Sequence, residues 1–470
     1  MTLSNKPDLR RDIIRKHHTT YRPLPSTPRY FATMTHHATG APRSLPVQQS
    51  ALSTHSRGVV CSLGLLASLA PFAAGQEALR NYQSANYSAS RLQSQFENAA
   101  HTIQWGKFSS LLSASLESEW TDNVRYTSSD TGSAKDDFIF RPMLNANSIY
   151  PITQYNSFKF SLGIGYEKYV ENDEYDRLII QPGSELAFNF MIGEFLFNIH
   201  DRLSFQNDPG RTGELSGTGQ NSTLNNTAGL LVTWDLEDVI THFGYDYYKV
   251  ISFTDGFEQQ DRDTHMLLAR SGVRLHPALL VGLELSGGPT FYVDELLNNN
   301  ISYSAGAYAQ WQPTDHLRFQ ARGGYILYTF DDALLPAPPD FNGYYLGFNA
   351  THVLNEKLSY TFDFGRDIQP GTASNLLDLW RASLTTQWRV MRDVSLNLGF
   401  IYEMGDQGAA RDLDAIGDEY DRYGINFSAG YQLTQKLNAR LGYNYYLKDS
   451  DRAALDYDQN RITLSLTYTF

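Results

Sequence analysis

The sequence predicts an all-β fold: a closed antiparallel β-barrel that crosses a membrane on about eighteen strands. Three observations predict it. From Phe108 onward, apolar and polar residues alternate with period two in segments of about 9–14 residues. The segment count is even, as single-chain barrels of this kind require. The connections are sorted by length, mostly long and polar after odd-numbered segments and short after even-numbered ones.

Composition agrees and excludes other classes. The chain has 470 residues, with 30 Tyr, 26 Phe and one Cys. No run of 18 apolar residues occurs, so a helical membrane span is excluded. The mean hydropathy of −0.39 does not exclude a barrel, because alternation averages its apolar face away. One Cys excludes a disulfide framework and any Cys-based zinc cluster. A net charge of −13 disfavours nucleic acid.

The first 75 residues differ from the rest. They hold nine Lys or Arg against two Asp, or +7, which leaves −20 for residues 76–470. Residues 1–56 are rich in Pro, Ser, Thr and His and lack periodicity, which reads as a disordered extension. Two explanations stand: an upstream start codon assigned in error, so that the extension is not translated, or a metal-binding tail using His17, His18, His36 and His37. Residues 57–75 have the layout of a secretory signal peptide: Arg57, an apolar stretch from Val59 to Ala70, Pro71, then small residues ending at Gly75. Cys61 has no small residue just before it, which argues against a lipoprotein anchor. Residues 76–107 lack alternation. Leu79, Tyr82, Tyr87, Leu92 and Phe96 are spaced loosely like a short amphipathic helix, which could plug the lumen or sit in the periplasm; the segment reads as a periplasmic lead-in, since plugs are usually larger folded units.

Residues 108–470 are read as the barrel. The segments are 108–120, 137–150, 157–170, 177–190, 195–205, 227–235, 239–252, 264–275, 279–292, 301–312, 317–330, 342–354, 358–367, 377–390, 394–404, 422–433, 437–447 and 457–470. The segment 227–235 is short, so sixteen to twenty strands bracket the count. Within 157–170, Phe158, Phe160, Leu162, Ile164 and Tyr166 share one face, while Lys159, Ser161 and Glu167 share the other. One such strand would also fit a soluble sandwich. Sorted loop lengths would not, and closure follows because an open edge in lipid leaves backbone groups unpaired.

The last strand places Ile462, Leu464, Leu466, Tyr468 and the terminal Phe470 on one face. This resembles the C-terminal signal of Gram-negative outer-membrane proteins. The stretch Ser115-Leu116-Glu117-Ser118-Glu119-Trp120-Thr121-Asp122-Asn123-Val124 is similar to the opening strand of outer-membrane β-barrel porin families. The resemblance implies a channel in the bacterial outer membrane, with short turns in the periplasm and long loops outside. It implies contact with membrane lipid and lipopolysaccharide, handling of Phe470 by the barrel-assembly machinery, passage of small hydrophilic solutes, and, by analogy, a homo-oligomer.

Parity assigns an inner wall. Arg141, Lys159, Glu185, Arg202, Asp246, Arg270, Arg274, Glu284, Arg318, Arg322, Asp363, Arg381, Arg389 and Arg440 are expected to line a pore, with Glu117, Glu119, Glu167, Arg177, Glu403 and Arg461 on the same side. A Lys or Arg facing lipid at mid-depth costs ~2–4 kcal/mol, so charges on one parity mean a wet interior. Both signs are present, and no strong ion selectivity is expected. Tyr292, Tyr308, Tyr328 and Tyr345 fall inward on consecutive strands, which would suit sugar stacking; the alternative is that Tyr is abundant and sits at the rim. The loop 405–421 carries Asp406, Asp412, Asp414, Asp418, Glu419 and Asp421, either a solvated charge run or a site for calcium.

Catalysis is not expected. No GxSxG, HExxH or phosphate-loop motif occurs, and no cofactor or metal motif. Parity reads His242, His265 and His352 as facing away from the lumen, and His200 as beside Arg202 without a nucleophile. A passive channel, a sugar-selective channel, and a barrel serving polysaccharide export or envelope structure remain as function classes.

Overall fold

The computed structural model describes residues 101–128, 134–211, 213–294, 296–331, 338–408 and 417–470. The expected extension, the signal and most of the lead-in lie outside the described residues.

The described residues form nineteen strands: β1 (Ile103–Trp105), β2 (Phe108–Thr121), β3 (Asp137–Pro151), β4 (Ser157–Tyr169), β5 (Arg177–Ile192), β6 (Phe195–Gln206), β7 (Thr223–Asp235), β8 (Val239–Ser252), β9 (Arg262–His276), β10 (Leu279–Tyr292), β11 (Asn300–Thr314), β12 (Leu317–Phe330), β13 (Phe341–Asn355), β14 (Leu358–Gln369), β15 (Leu377–Arg389), β16 (Val394–Gln407), β17 (Glu419–Gln432), β18 (Leu437–Ser450) and β19 (Tyr457–Thr469). From β2 to β19 each strand pairs antiparallel with the next. The ring closes where β19 pairs with β2, from Arg461 opposite Thr121 to Thr469 opposite Ser113. The barrel thus has eighteen strands, and no edge is left unpaired among them.

The lead-in differs from its expectation. Residues 103–105 form β1, which pairs with the start of β2. The reason is geometric. β19 ends short of the beginning of β2, and β1 takes over the vacant donors and acceptors there. Thr102 Oγ1 accepts from Leu112 N at 3.1 Å and donates to the Phe470 carbonyl at 3.2 Å. Phe470 N donates to the Leu112 carbonyl at 3.1 Å. The strand following the lead-in and the end of the chain are therefore stitched together at the short-turn end.

One face of every strand is apolar. Leu144, Phe158, Ile164, Leu186, Leu267, Leu283, Phe348, Phe427 and Leu464 are all exposed on it. Aromatic pairs mark its two margins, as interfacial girdles do. At the short-turn end Phe190 stacks on Phe197 at 5.0 Å, Phe195 on Trp234 at 5.3 Å and Trp311 on Phe319 at 5.4 Å. At the long-loop end Tyr344 and Trp380 flank Arg366, whose guanidinium lies 4.2 Å from the Tyr344 ring centre and binds Asp378. Asp201, midway along β6, also points outward and is satisfied by Asn226 Nδ2 at 2.6 Å.

The opposite face is polar, and it is the inner one. Side chains from strands that are not neighbours meet there: Tyr345 of β13 donates to Glu284 of β10 at 3.0 Å. The strands run past their sequence-read ends mainly toward the long loops. β7 begins at Thr223 rather than 227, β17 at Glu419 rather than 422, and β18 continues to Ser450 rather than 447. Asn, Asp and Ser at those ends read as loop, yet they are paired.

Candidate functional site

The connection between β6 and β7, residues 207–222, does not stand out into solvent. It folds across the inside of the barrel. Asp208 accepts from Tyr126 Oη at 2.6 Å and from Arg461 at 3.0 Å. The Gly210 carbonyl accepts from Arg422 at 2.6 Å. Glu214 Oε1 accepts from the Thr372 backbone N–H at 2.7 Å and from its hydroxyl. The Glu214 carbonyl accepts from Lys448 Nζ at 3.2 Å, and Ser216 donates to the Leu455 carbonyl at 2.7 Å. The loop leaves the wall at β6–β7 and is held by β17, β18, β19 and three further loops.

Glycine makes this approach feasible. A Cβ at Gly210 would collide with the Tyr126 ring, and one at Gly219 with the Tyr175 ring. Burial pushes the Glu214 carboxyl above its usual range, against the lowering pull of the Thr372 hydrogen bonds and the Lys448 charge. Its Oε2 makes no hydrogen bond.

Beneath the loop the wall carries ion-pair clusters. Arg141 binds Glu117 at 3.0 Å, Glu119 at 3.1 Å and Glu167 at 2.7 Å. Glu119 also meets Arg461 at 3.1 Å, which joins this cluster to Asp208. Glu403 lies between Arg381 and Arg422, with Arg422 at 2.9 Å. Arg202 binds Glu185 at 3.2 Å, Arg270 faces Glu284 at 3.6 Å and Arg322 binds Asp367 at 3.4 Å. Asp363 accepts from Asn349 at 2.6 Å, and Arg177 donates to Gln220 of the crossing loop.

The two ends of the wall differ. In the long-loop half, inward side chains are buried, with Glu403 at 1% and Lys448 at 1% exposure. In the short-turn half, Arg274, Arg318, Gln320 and Arg389 are exposed, and Lys159, Asn397, Ser428 and Arg440 are half-buried. The lumen is occupied at one end and solvent-lined at the other.

The tyrosine row is placed inward, but its rings are covered. Tyr328 and Tyr345 are buried with Ile326, Ile368 and Leu376. Tyr308 is buried under the Arg270 guanidinium, 3.5 Å from its ring centre. Tyr292 is half-buried. Ile368 at the end of β14 and Leu376 in the loop after it cover Tyr328 and Tyr345, so the open stacking surface expected from parity is not what this structure holds.

His242 corrects the sequence reading. Thr233 and His242 are register partners, on the same inward face as Asp246, and Thr233 Oγ1 lies 3.0 Å from His242 Nδ1. Its parity equals that of Asp246, which puts it on the inner wall. His265 and His352 do lie on the outer face, against Tyr245 and Tyr360. His200 is held by Asp246 at 3.0 Å and Asn198 at 2.8 Å. Asp412 and Asp414 lie outside the described residues, and Asp418 binds Lys448 at 3.3 Å. Among the described residues no cluster of His, Cys, Asp and Glu has the form of a metal site.

Sequence reasoning missed Tyr126, Asp208, Glu214 and Lys448. The available signal was that the stretch 206–226 carries Gly210, Gly213, Gly217 and Gly219, more than a solvated loop needs.

No protein-family model matches the sequence, and no curated protein matches it. Solved structures are similar to it at low identity. OpdK of Pseudomonas aeruginosa, solved with vanillate, is 11% identical with a TM-score of 0.44, covering 77% of this chain and 99% of that one. OccK2 (OpdF) of the same organism, in complex with glucuronate, is 12% identical with a TM-score of 0.46, covering 77% and 98%. OmpT of Vibrio cholerae, an outer membrane protein solved with loop L8 deleted, is 8% identical with a TM-score of 0.37, covering 77% and 100%.

Proposed function

We propose that this chain is an outer-membrane channel through which small hydrophilic solutes diffuse passively. One observation carries the reading: a closed eighteen-strand barrel with an apolar outside and a charged inside that is solvent-lined at its short-turn end. Eighteen strands enclose enough room for water. Lipid demands the apolar face, and only a wet lumen accommodates the charges on the other. The short turns then lie in the periplasm and the long loops outside the cell.

In this reading the inward Arg, Lys, Asp and Glu side chains line the pore, and residues 207–222 set its narrowest part. Permeation needs no chemistry. It needs a water path, a width set by the crossing loop, and a wall that replaces part of a solute's hydration.

The test is reconstitution of residues 76–470. In planar bilayers the protein produces steady, ohmic current steps. In liposomes neutral sugars enter at rates that fall with sugar size. A silent bilayer, with the barrel shown folded by its heat-dependent gel migration, overturns the open-channel reading and favours an export or structural barrel.

A further inference from the structure

We propose that the channel selects small anions, by means of a collar of five cations on the inner wall at its periplasmic mouth; this rests on the channel reading above. The collar consists of Lys159 on β4, Arg274 on β9, Arg318 on β12, Arg389 on β15 and Arg440 on β18. Four of its members recur on every third strand, and the fifth lies on the other side of the ring. All sit near the short-turn ends. Arg318 is the second residue of β12, Lys159 the third of β4 and Arg440 the fourth of β18. Arg389 is the last residue of β15, and Arg274 lies two residues before the end of β9.

The register places them all inward. Lys159 is opposite Ala187, Arg274 opposite Leu280, Arg318 opposite Thr351, Arg389 opposite Ser395 and Arg440 opposite Ser465. Each of these partners shares the parity of the buried ion pairs higher in the wall. Around this depth the inward face also holds carboxylates: Asp235 caps its own turn by accepting from Glu237 N at 2.9 Å, Glu185, opposite Ser161, is bound to Arg202 at 3.2 Å, and Asp363, opposite Asn349, accepts from it at 2.6 Å. Asn, Gln, Ser and Thr fill much of the rest of that band: Asn147, Ser161, Gln320, Thr351, Gln387, Asn397 and Thr467.

The main carboxylate clusters of the wall lie higher and are ion-paired. Glu117, Glu119 and Glu167 surround Arg141, and Glu403 sits between two arginines. The turns below the collar carry Glu194, Glu237, Asp238, Asp315, Glu356 and Asp393 together with Lys357, Arg392 and Lys436, at the rim rather than on the wall, and Glu194 is bound to Trp234 on the outer side. A permeating ion in the lower chamber therefore meets fixed positive charge in a lumen whose low-dielectric walls focus the field. The chain as a whole carries −13, so bulk charge predicts cation preference and the wall predicts the opposite. The substrates that fit are small inorganic and organic anions.

The test is the reversal potential of single channels of residues 76–470 under a KCl gradient. At 0.1 M salt the chloride-to-potassium permeability ratio is expected to exceed about 3, falling toward 1 at 1 M as the Debye length shrinks to about 3 Å. The combined variant Arg318→Gln, Arg389→Gln and Arg440→Gln should bring the low-salt ratio near 1 while the conductance steps persist. Open steps with a wild-type ratio at or below 1 overturn the collar and leave the channel standing. Open steps with a ratio that the triple variant does not move assign the preference elsewhere and also overturn it. Absence of steps from a folded barrel overturns the channel and the collar together.

Discussion

Replacing residues 209–220 by a short Gly-Ser link should raise the single-channel conductance about two- to threefold, because the crossing segment sets the narrowest section. The substitution is geometrically mild. Gln206 and Thr223 are direct register partners, so a link of a few residues closes the hairpin without moving either strand. The ladder from Phe195 opposite Trp234 to Gln206 opposite Thr223 is untouched. What is lost is the set of contacts from Gly210, Glu214 and Ser216 to β17, β18 and the loop after β18. Bilayer recording of the shortened and full-length barrels measures the effect. An unchanged conductance would mean that the loop lies outside the path, and the narrow point would have to be sought among the buried arginine clusters.

Glu403→Ala should destabilise the barrel by about 3–5 kcal/mol, because removing one member of a buried ion cluster leaves uncompensated charge behind. Glu403 is 1% exposed and stands between Arg381 and Arg422. Without it two guanidinium groups, on β15 and β17 with β16 between them, lose their shared counter-charge. Arg422 also holds the Gly210 carbonyl, so the same change loosens the crossing loop. Urea unfolding from detergent micelles, followed by tryptophan fluorescence, measures the loss. Glu403→Gln keeps the side-chain length and should recover part of it. A loss below about 1 kcal/mol would show that water reaches this cluster and screens it, as it does at protein surfaces.

The strands were legible because lipid imposes a rule on half of their residues. On β4 the outward set Phe158, Phe160, Ile164 and Tyr166 could not be anything else, and it fixes the opposite parity for Lys159 and Glu167. Strand ends were less legible on the loop side. Tyr420 and Lys448 face inward there among Asp and Ser residues that read as turn. The inner wall was legible in direction but not in contact. Parity says that Tyr345 points in; it does not say that Ile368 and Leu376 cover it. The crossing loop was hidden for a stronger reason. Asp208 and Arg461, or Glu214 and Lys448, are separated by more than 200 residues, and nothing local in the chain brings them together.

The central claim is a water-filled channel that is narrow at the long-loop end and wide at the short-turn end. Neutral polymers slightly too large to pass test it directly, added to one side of the bilayer at a time. From the short-turn side they should enter the lower chamber and depress the conductance; from the long-loop side they should be excluded and leave it nearly unchanged. Equal depression from both sides, or the reverse asymmetry, would contradict the account.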